Sequence, residues 1–264
     1  MLIDYINHLA LFQYIGGLLI WFFLLFLLEQ YLASSKNLNY IEKKYFLGYF
    51  VVLSLFAVIR IYTNYLPFTL DTKTYLSVAE SISQKSEFYF FGAFLYSSFI
   101  YLIKAITFNN HYAILFINNF IFIIALIDLL GMIPNKQKKS LWLWSLFLFL
   151  YPSIYWFIPN VLREAVFFLC LVRVLKHSIS IKNSNVISYN SILLVFFSIL
   201  CIAFRPQVLP MIYLWVTLML FKKSIFNLIF VLLFGLVLLS NDFMTSEYLN
   251  KVSFEYLAVS YTHL

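Results

Sequence analysis

Apolar runs of membrane-spanning length recur from one end of this sequence to the other, and no arrangement in water could bury them all. A helix needs roughly 20 residues to cross the hydrocarbon of a bilayer. Runs near that length stand at about Leu9 to Leu28, Tyr45 to Tyr62, Phe90 to Phe108 and Tyr112 to Ile133. Shorter ones follow at Leu141 to Ile158, Val161 to Leu175, Ser191 to Phe204, Val208 to Phe221 and Ile225 to Ser240. Of the 264 residues, 63% are hydrophobic and 11% charged, a balance that would leave apolar patches far larger than soluble surfaces carry. In lipid every backbone amide needs an internal partner, and no run shows the sustained two-residue alternation of a barrel, so the spans are read as helices. The expectation is an all-α polytopic integral membrane protein with about eight or nine membrane helices, forming a single transmembrane domain over residues 1–258.

The first run is too long, and too weakly flanked by positive charge, to be a cleavable signal peptide. Lysine and arginine gather at Lys36, Lys43 and Lys44; at Lys136, Lys138 and Lys139; at Arg173, Lys176 and Lys182; and at Lys222 and Lys223. By the positive-inside rule these connections are cytoplasmic. The outer side then holds a loop over about residues 63–89, the Pro159-Asn160 corner and the Arg205-Pro206-Gln207 corner. Topology thus accounts for the net charge of +7, and no nucleic-acid partner is needed. Strict alternation would put Asp71 and Pro159 on opposite sides, so one run has to lie along the membrane or turn back. Phe90 to Phe108, which carries Lys104, is the candidate.

Cys170 and Cys201 fall inside spans without metal-ligand spacing and read as packing residues. His8, His111, His177 and His263 are scattered, so no residue is assigned to a metal. No phosphate-binding loop, dinucleotide fingerprint or nucleophile elbow is present. The closing "VSYTHL", Val259 to Leu264, looks like a translated sequencing adapter, and the natural chain is expected to continue differently beyond Ala258.

The informative polar groups cluster at the outer side. Asp71 is followed by Tyr75, Ala79 and Ile82 at helical spacing, the pattern of a short amphipathic helix on the membrane surface. Asp71 also suits the cap of that helix, with Thr72, Lys73 and Thr74 in its first turn. The adjacent Arg163 and Glu164, and Arg205, are costly at bilayer depth, on the order of 3 kcal/mol each. They either face a functional cavity or snorkel to lipid phosphates with Glu164 neutralising Arg163. Arg60 and Lys104 are each alone in their runs.

"LDTKTYLSVAESI", "AFLYSSFIYLI", "YPSIYWFIPNVLREAVFFL" and "AFRPQVLP" together resemble the amino-terminal module of multi-span glycosyltransferases of the GT-C superfamily and related polysaccharide-assembly proteins. The resemblance covers about Pro67 to Pro210. It implies a first outer loop bearing an acidic residue near the membrane, matched by Asp71, and a sugar delivered on a polyprenyl-phosphate or polyprenyl-diphosphate carrier. Two features depart from the superfamily pattern: a pair of spans precedes the loop, and Arg163-Glu164 stands where many members have a lone carboxylate. Metal dependence stays open on this comparison, and the sequence does not require a divalent ion.

Such transfer expels a phosphate and takes a proton from an acceptor hydroxyl. Arginines suit the first task because a guanidinium forks onto phosphate and stays charged in a poorly hydrated site. A carboxylate suits the second. The expected roles are Asp71 as general base, Arg163 and Arg205 as a lipid-phosphate clamp, and Glu164 as the group orienting Arg163. Lys73, Tyr75, Asn160 and Gln207 are neighbouring candidates for substrate contact. The expected location is the bacterial inner membrane with the active face outward, and the expected partners are membrane lipids, a polyprenyl-linked saccharide and other envelope-assembly proteins. Two alternatives stand beside this one: a transporter or flippase of lipid-linked saccharides, with Arg60, Lys104, Arg163 and Arg205 lining its path, and a non-catalytic membrane subunit.

Overall fold

The computed structural model describes residues 2–35, 38–63, 91–132, 163–182, 189–205 and a few isolated positions between 76 and 216. Every element among them is a helix: α1 (Leu2–Ser34), α2 (Tyr40–Thr63), α3 (Phe91–Ile106), α4 (His111–Gly131), α5 (Glu164–Lys182) and α6 (Tyr189–Phe204). Phe12–Ser34 within α1 and Tyr112–Gly131 within α4 are long and apolar enough to cross a membrane. Leu95–Ile106 and Tyr189–Phe204 are shorter apolar segments.

Local chemistry sets the helix ends. Asn39 and Glu42 form a reciprocal capping box at the start of α2, each side chain accepting from the other's backbone N–H at 2.8 Å, so two otherwise orphaned donors are satisfied. Asn110 caps α4 by accepting from the Tyr112 N–H at 3.0 Å. Between α3 and α4 the chain reverses through Phe108 and Asn109, both at positive φ, 52° and 60°, a conformation that suits Asn far better than Phe. α6 stops at Phe204 because Arg205 precedes Pro206, which disfavours helical geometry in the residue before it. Three buried hydroxyls within the apolar helices bond back one turn, Ser54 to Phe50, Ser178 to Val174 and Ser198 to Leu194, and so are satisfied within their own helix; Ser97 on α3 is buried without a hydrogen-bond partner among the described residues.

α4 is the central helix, packing on α1, α2, α3 and α5, with Ala113, Ile114, Ile123, Ala125 and Leu126 buried. Its register with its neighbours fixes the topology. Asn110 donates to the Gln13 carbonyl at 2.8 Å, and Tyr31 donates to Asp128 at 2.9 Å, both across a separation of 97 residues. These two ties lie about five turns, or roughly 27 Å, apart on both helices. α1 and α4 are therefore parallel. Gly16 and Gly17 let them approach: a Cβ on Gly16 would stand 2.9 Å from Asn110 Nδ2, and one on Gly17 3.2 Å from Tyr112. α5 runs parallel as well, because Phe122 packs on Phe168 at 5.5 Å and Asp128, farther along α4, meets Arg173 and Lys176, farther along α5.

The other three helices run the opposite way. α2 returns against α1 with Phe50 stacked on Trp21. α3 returns into α4 with Tyr96 bonded to Asn118 at 2.9 Å. α6 returns against α5, where His177 meets Asn190 near one end and Glu164 meets Arg205 at the other. α4 and α5 point the same way. The run Leu141 to Ile158, between them in the sequence, lies outside the described residues.

Two expectations change and one alternative is selected. Arg173 and Lys176 stand on α5 rather than in a connection, because the helix runs through to Lys182 while an apolarity window ends at the first charges. Of the two alternatives held open for the run Phe90 to Phe108, α3 takes the one that turns back, as one limb of a hairpin with α4. In the outer-loop segment, Leu76 and Ala79 are helical; Ala79 is buried in the core and Leu76 packs against it.

Candidate functional site

Of the candidate residues, Asp71, Lys73, Tyr75, Asn160 and Gln207 lie outside the described residues, as do Val259 to Leu264. Arg163, Glu164 and Arg205 are described, and the hairpin brings them together. Glu164 opens α5, in the first turn where a carboxylate is stabilised by the helix dipole. Arg163 is the turn residue immediately before it, its carbonyl accepting from the Phe167 N–H at 2.9 Å. Arg205 follows α6, its backbone N–H donating to the Cys201 carbonyl at 2.9 Å. Its side chain Nη2 donates to Glu164 Oε1 in an ion pair across 41 residues of chain. Glu164 was expected to orient its sequence neighbour Arg163; the partner it takes here is Arg205. Consecutive residues at a helix start point in different directions, whereas the ends of two antiparallel helices face each other.

The depth of the pair follows from the register. Glu164 precedes Phe168 by one turn, and Phe168 packs on Phe122; one turn before Phe122 on α4 is Asn118. Glu164 therefore stands level with Asn118, roughly 12 Å along α4 from its Asn110 cap. The charges are recessed from the end of the bundle instead of sitting at its rim. At the same level the Tyr96 and Asn118 side chains are fully buried and bonded to each other. The ion pair stays partly open despite its depth, with side-chain exposures of 36% for Arg205 and 31% for Glu164. Glu164 Oε2 has no hydrogen-bond partner among the described residues. A guanidinium carries five N–H donors, so Arg205 can hold one carboxylate oxygen and still donate to an anion. Among the described residues Glu164 and Arg205 pair one to one, with Arg163 next to Glu164 in the chain. Among the described residues, no group of three or more His, Cys, Asp or Glu converges as a metal site.

The residue missed from sequence is Asp128. It is 5% exposed on α4 and is held by Arg173 at 2.7 Å, Lys176 at 2.6 Å and the Tyr31 hydroxyl. A lone carboxylate inside the run Tyr112 to Ile133 was the available signal, since an ionisable group at such a place requires a partner. His177 lies beside this cluster, stacked on Phe197 at 5.8 Å, and Trp215 donates to Ser178 at 2.9 Å. These contacts tie the Asp128 end of the bundle together.

Comparison of the chain with protein-family models, with curated proteins and with solved structures returns no match.

Proposed function

We propose that the chain is a polytopic membrane protein that transfers sugar from a polyprenyl-phosphate-linked donor during assembly of a cell-envelope glycan, as a glycosyltransferase or polysaccharide polymerase. The membrane setting is supported by α1, which leaves Phe12, Leu19, Phe22, Phe23 and Phe26 more than half exposed; in water so continuous an apolar face would drive association. Orientation follows from charge. Lys43 and Lys44 stand in the first turns of α2, at the Asp128 end, and Lys136, Lys138 and Lys139 come next after α4 in the sequence. That end is cytoplasmic by the positive-inside rule, and the Glu164–Arg205 site opens toward the outer face.

The observation that carries the reading is the meeting of Arg205 with Glu164 beside Arg163, below the outer end of the bundle. A lipid-linked sugar presents its phosphate near the headgroup boundary. An anion drawn down to this cluster would meet guanidinium donors in a poorly hydrated place, where charge stabilisation counts most. In this mechanism Glu164 holds Arg205 aimed until the donor arrives, the arginines bind the departing phosphate, and Asp71 takes the acceptor's proton. No metal is assigned a part.

The test is a conservative charge swap. Arg205→Lys keeps the charge but loses the fork. Losing one charge-assisted hydrogen bond, about 1.5–3 kcal/mol, corresponds to a drop of about tenfold or more in transfer from a polyprenyl-phosphate sugar in proteoliposomes. Unchanged turnover at equal protein level would return Arg205 to a structural ion pair. The flippase alternative draws on two charged clusters along α5, Glu164 with Arg205 at its start and Asp128 with Arg173 and Lys176 beyond its middle. It requires movement of the intact lipid-linked saccharide with no glycosidic bond formed or broken.

A further inference from the structure

One cation is enough to balance a carboxylate, and Asp128 meets two. Lys176 Nζ donates to its Oδ1 at 2.6 Å, beside the Tyr31 hydroxyl. Arg173 Nη2 stands 2.7 Å from Oδ2, near enough for an ion pair but off the line of a hydrogen bond, since Oδ2 has no hydrogen-bond partner. The five N–H donors of the guanidinium are therefore not committed to Asp128. The carboxylate is enclosed, while both cations keep part of their side chains exposed. Within this group of three, one positive charge is left unmatched, which is costly in the apolar part of a bilayer. Position offers the compensation. Asp128 lies in the last turn of α4, which ends at Gly131, and Tyr31 in the last turn of α1, which ends at Ser34. The cluster is thus about one turn, or roughly 5 Å, inside the cytoplasmic end of the bundle, a distance that an arginine stem covers to bring its head among the lipid headgroups.

We propose that Arg173, with Lys176 beside it, binds the phosphate of an anionic phospholipid in the cytoplasmic leaflet, where α5 packs against α4 and α1. A planar guanidinium matches phosphate oxygens two at a time, and basic pockets between membrane helices on this side suit anionic headgroups. Asp128 is too enclosed to touch the lipid; with Tyr31 it positions the cations. A zwitterionic headgroup brings its own cation and cannot balance the unmatched charge, whereas a headgroup of net negative charge can. The proposal rests on the membrane setting proposed above and not on the transfer reaction.

The full chain, purified in detergent, is offered equal amounts of phosphatidylglycerol and phosphatidylcholine with the same acyl chains, and bound lipid is counted by native mass spectrometry. Phosphatidylglycerol is expected to be favoured on the order of fivefold, the factor that one basic residue contributes near an anionic surface. Arg173→Gln leaves Asp128 both of its hydrogen-bonded partners and is expected to bring the ratio close to one. Lys44→Gln, elsewhere at the same end, is expected to leave it unchanged. A phosphatidylglycerol with a photoreactive headgroup is expected to crosslink to the α5 segment around Arg173 in the unsubstituted chain, a readout that needs no variant to fold. Equal binding of the two lipids, a preference that survives Arg173→Gln, an equal loss in Lys44→Gln, or crosslinks confined to other segments would overturn the proposal. So would displacement of phosphatidylglycerol by millimolar inorganic phosphate, the mark of a free-anion site. Recovery of the chain in the soluble fraction would sink the membrane setting, whereas a missing preference in a chain recovered from membranes would sink the lipid site alone. Neither measurement depends on glycan transfer.

Discussion

Asp128 and Lys176 meet at 2.6 Å, ammonium to carboxylate, at a place where the carboxylate is almost wholly enclosed. With Arg173 and the Tyr31 hydroxyl on the same carboxylate, one side chain joins three parallel helices. Removing it leaves Arg173 and Lys176, 25% and 39% exposed, without their carboxylate, at a cost of at most about 3–5 kcal/mol, that of breaking a fully buried pair from one side. Asp128→Ala is expected to lower thermal stability in detergent by up to that amount, and adding Arg173→Met and Lys176→Met is expected to recover much of the loss. A melting temperature unaffected by Asp128→Ala would show that the cluster is not a tie.

The approach of α1 to α4 rests on Gly17, where a Cβ would meet Tyr112 at 3.2 Å. Gly17→Ala asks Tyr112, its Cβ as well as its ring, to yield by a few tenths of an ångström and is expected to cost less than a larger side chain. Gly17→Leu requires the helices to separate, and overpacking of this kind costs about 1–3 kcal/mol. Comparing the two variants by thermal unfolding in the same detergent checks this; equal stabilities would mean that α1 does not need the close approach.

Parallel α1 and α4 also fix which ends share a side. Phe108, in the α3–α4 turn, and Tyr40, at the start of α2, are 79% and 69% exposed and mark opposite ends of the bundle. Phe108→Cys is expected to label with an impermeant maleimide in intact cells, and Tyr40→Cys only after permeabilisation. Asn160→Cys and Gln207→Cys are expected to behave like Phe108→Cys. Labelling of all four from one side would overturn the assigned topology.

Asp71→Asn separates a base from a helix cap. Asn caps about as well as Asp but cannot accept the proton. The variant is expected to insert and accumulate normally while glycan transfer falls by about a hundredfold or more, the scale of general-base catalysis. Near-normal transfer at matched protein level would leave Asp71 as a cap.

The parts of this architecture legible in the sequence are those governed by composition along the chain. α2, α4 and α6 follow their apolar runs closely, because hydropathy and helix formation coincide there. Arg163, Glu164 and Arg205 stood out because charge in such runs demands an explanation. Their pairing did not: which side chain Glu164 meets depends on how α6 returns along α5, a relation between residues 41 apart. Asp128 went unnoticed for the same reason. Its counter-ions are on a different helix, and Arg173 and Lys176 looked like loop residues because a hydropathy window stops at charges that a backbone hydrogen-bond ladder passes through. The recess of the charged site was equally hidden, since depth is set by the alignment of α4 with α5 and not by distance from the end of a run.

The Asp128 tie also orders events during synthesis. Its hydroxyl partner on α1 emerges 97 residues earlier, but Lys176 follows 48 residues later. At cellular elongation rates that interval is on the order of several seconds. Through it the Asp128 carboxylate, in the last turn of α4, lacks the two cations of α5. On the membrane reading, α4 has to wait in the protein-lined space of the insertion machinery until α5 arrives, so α1, α4 and α5 enter the bilayer as a group even though the ribosome makes them one at a time.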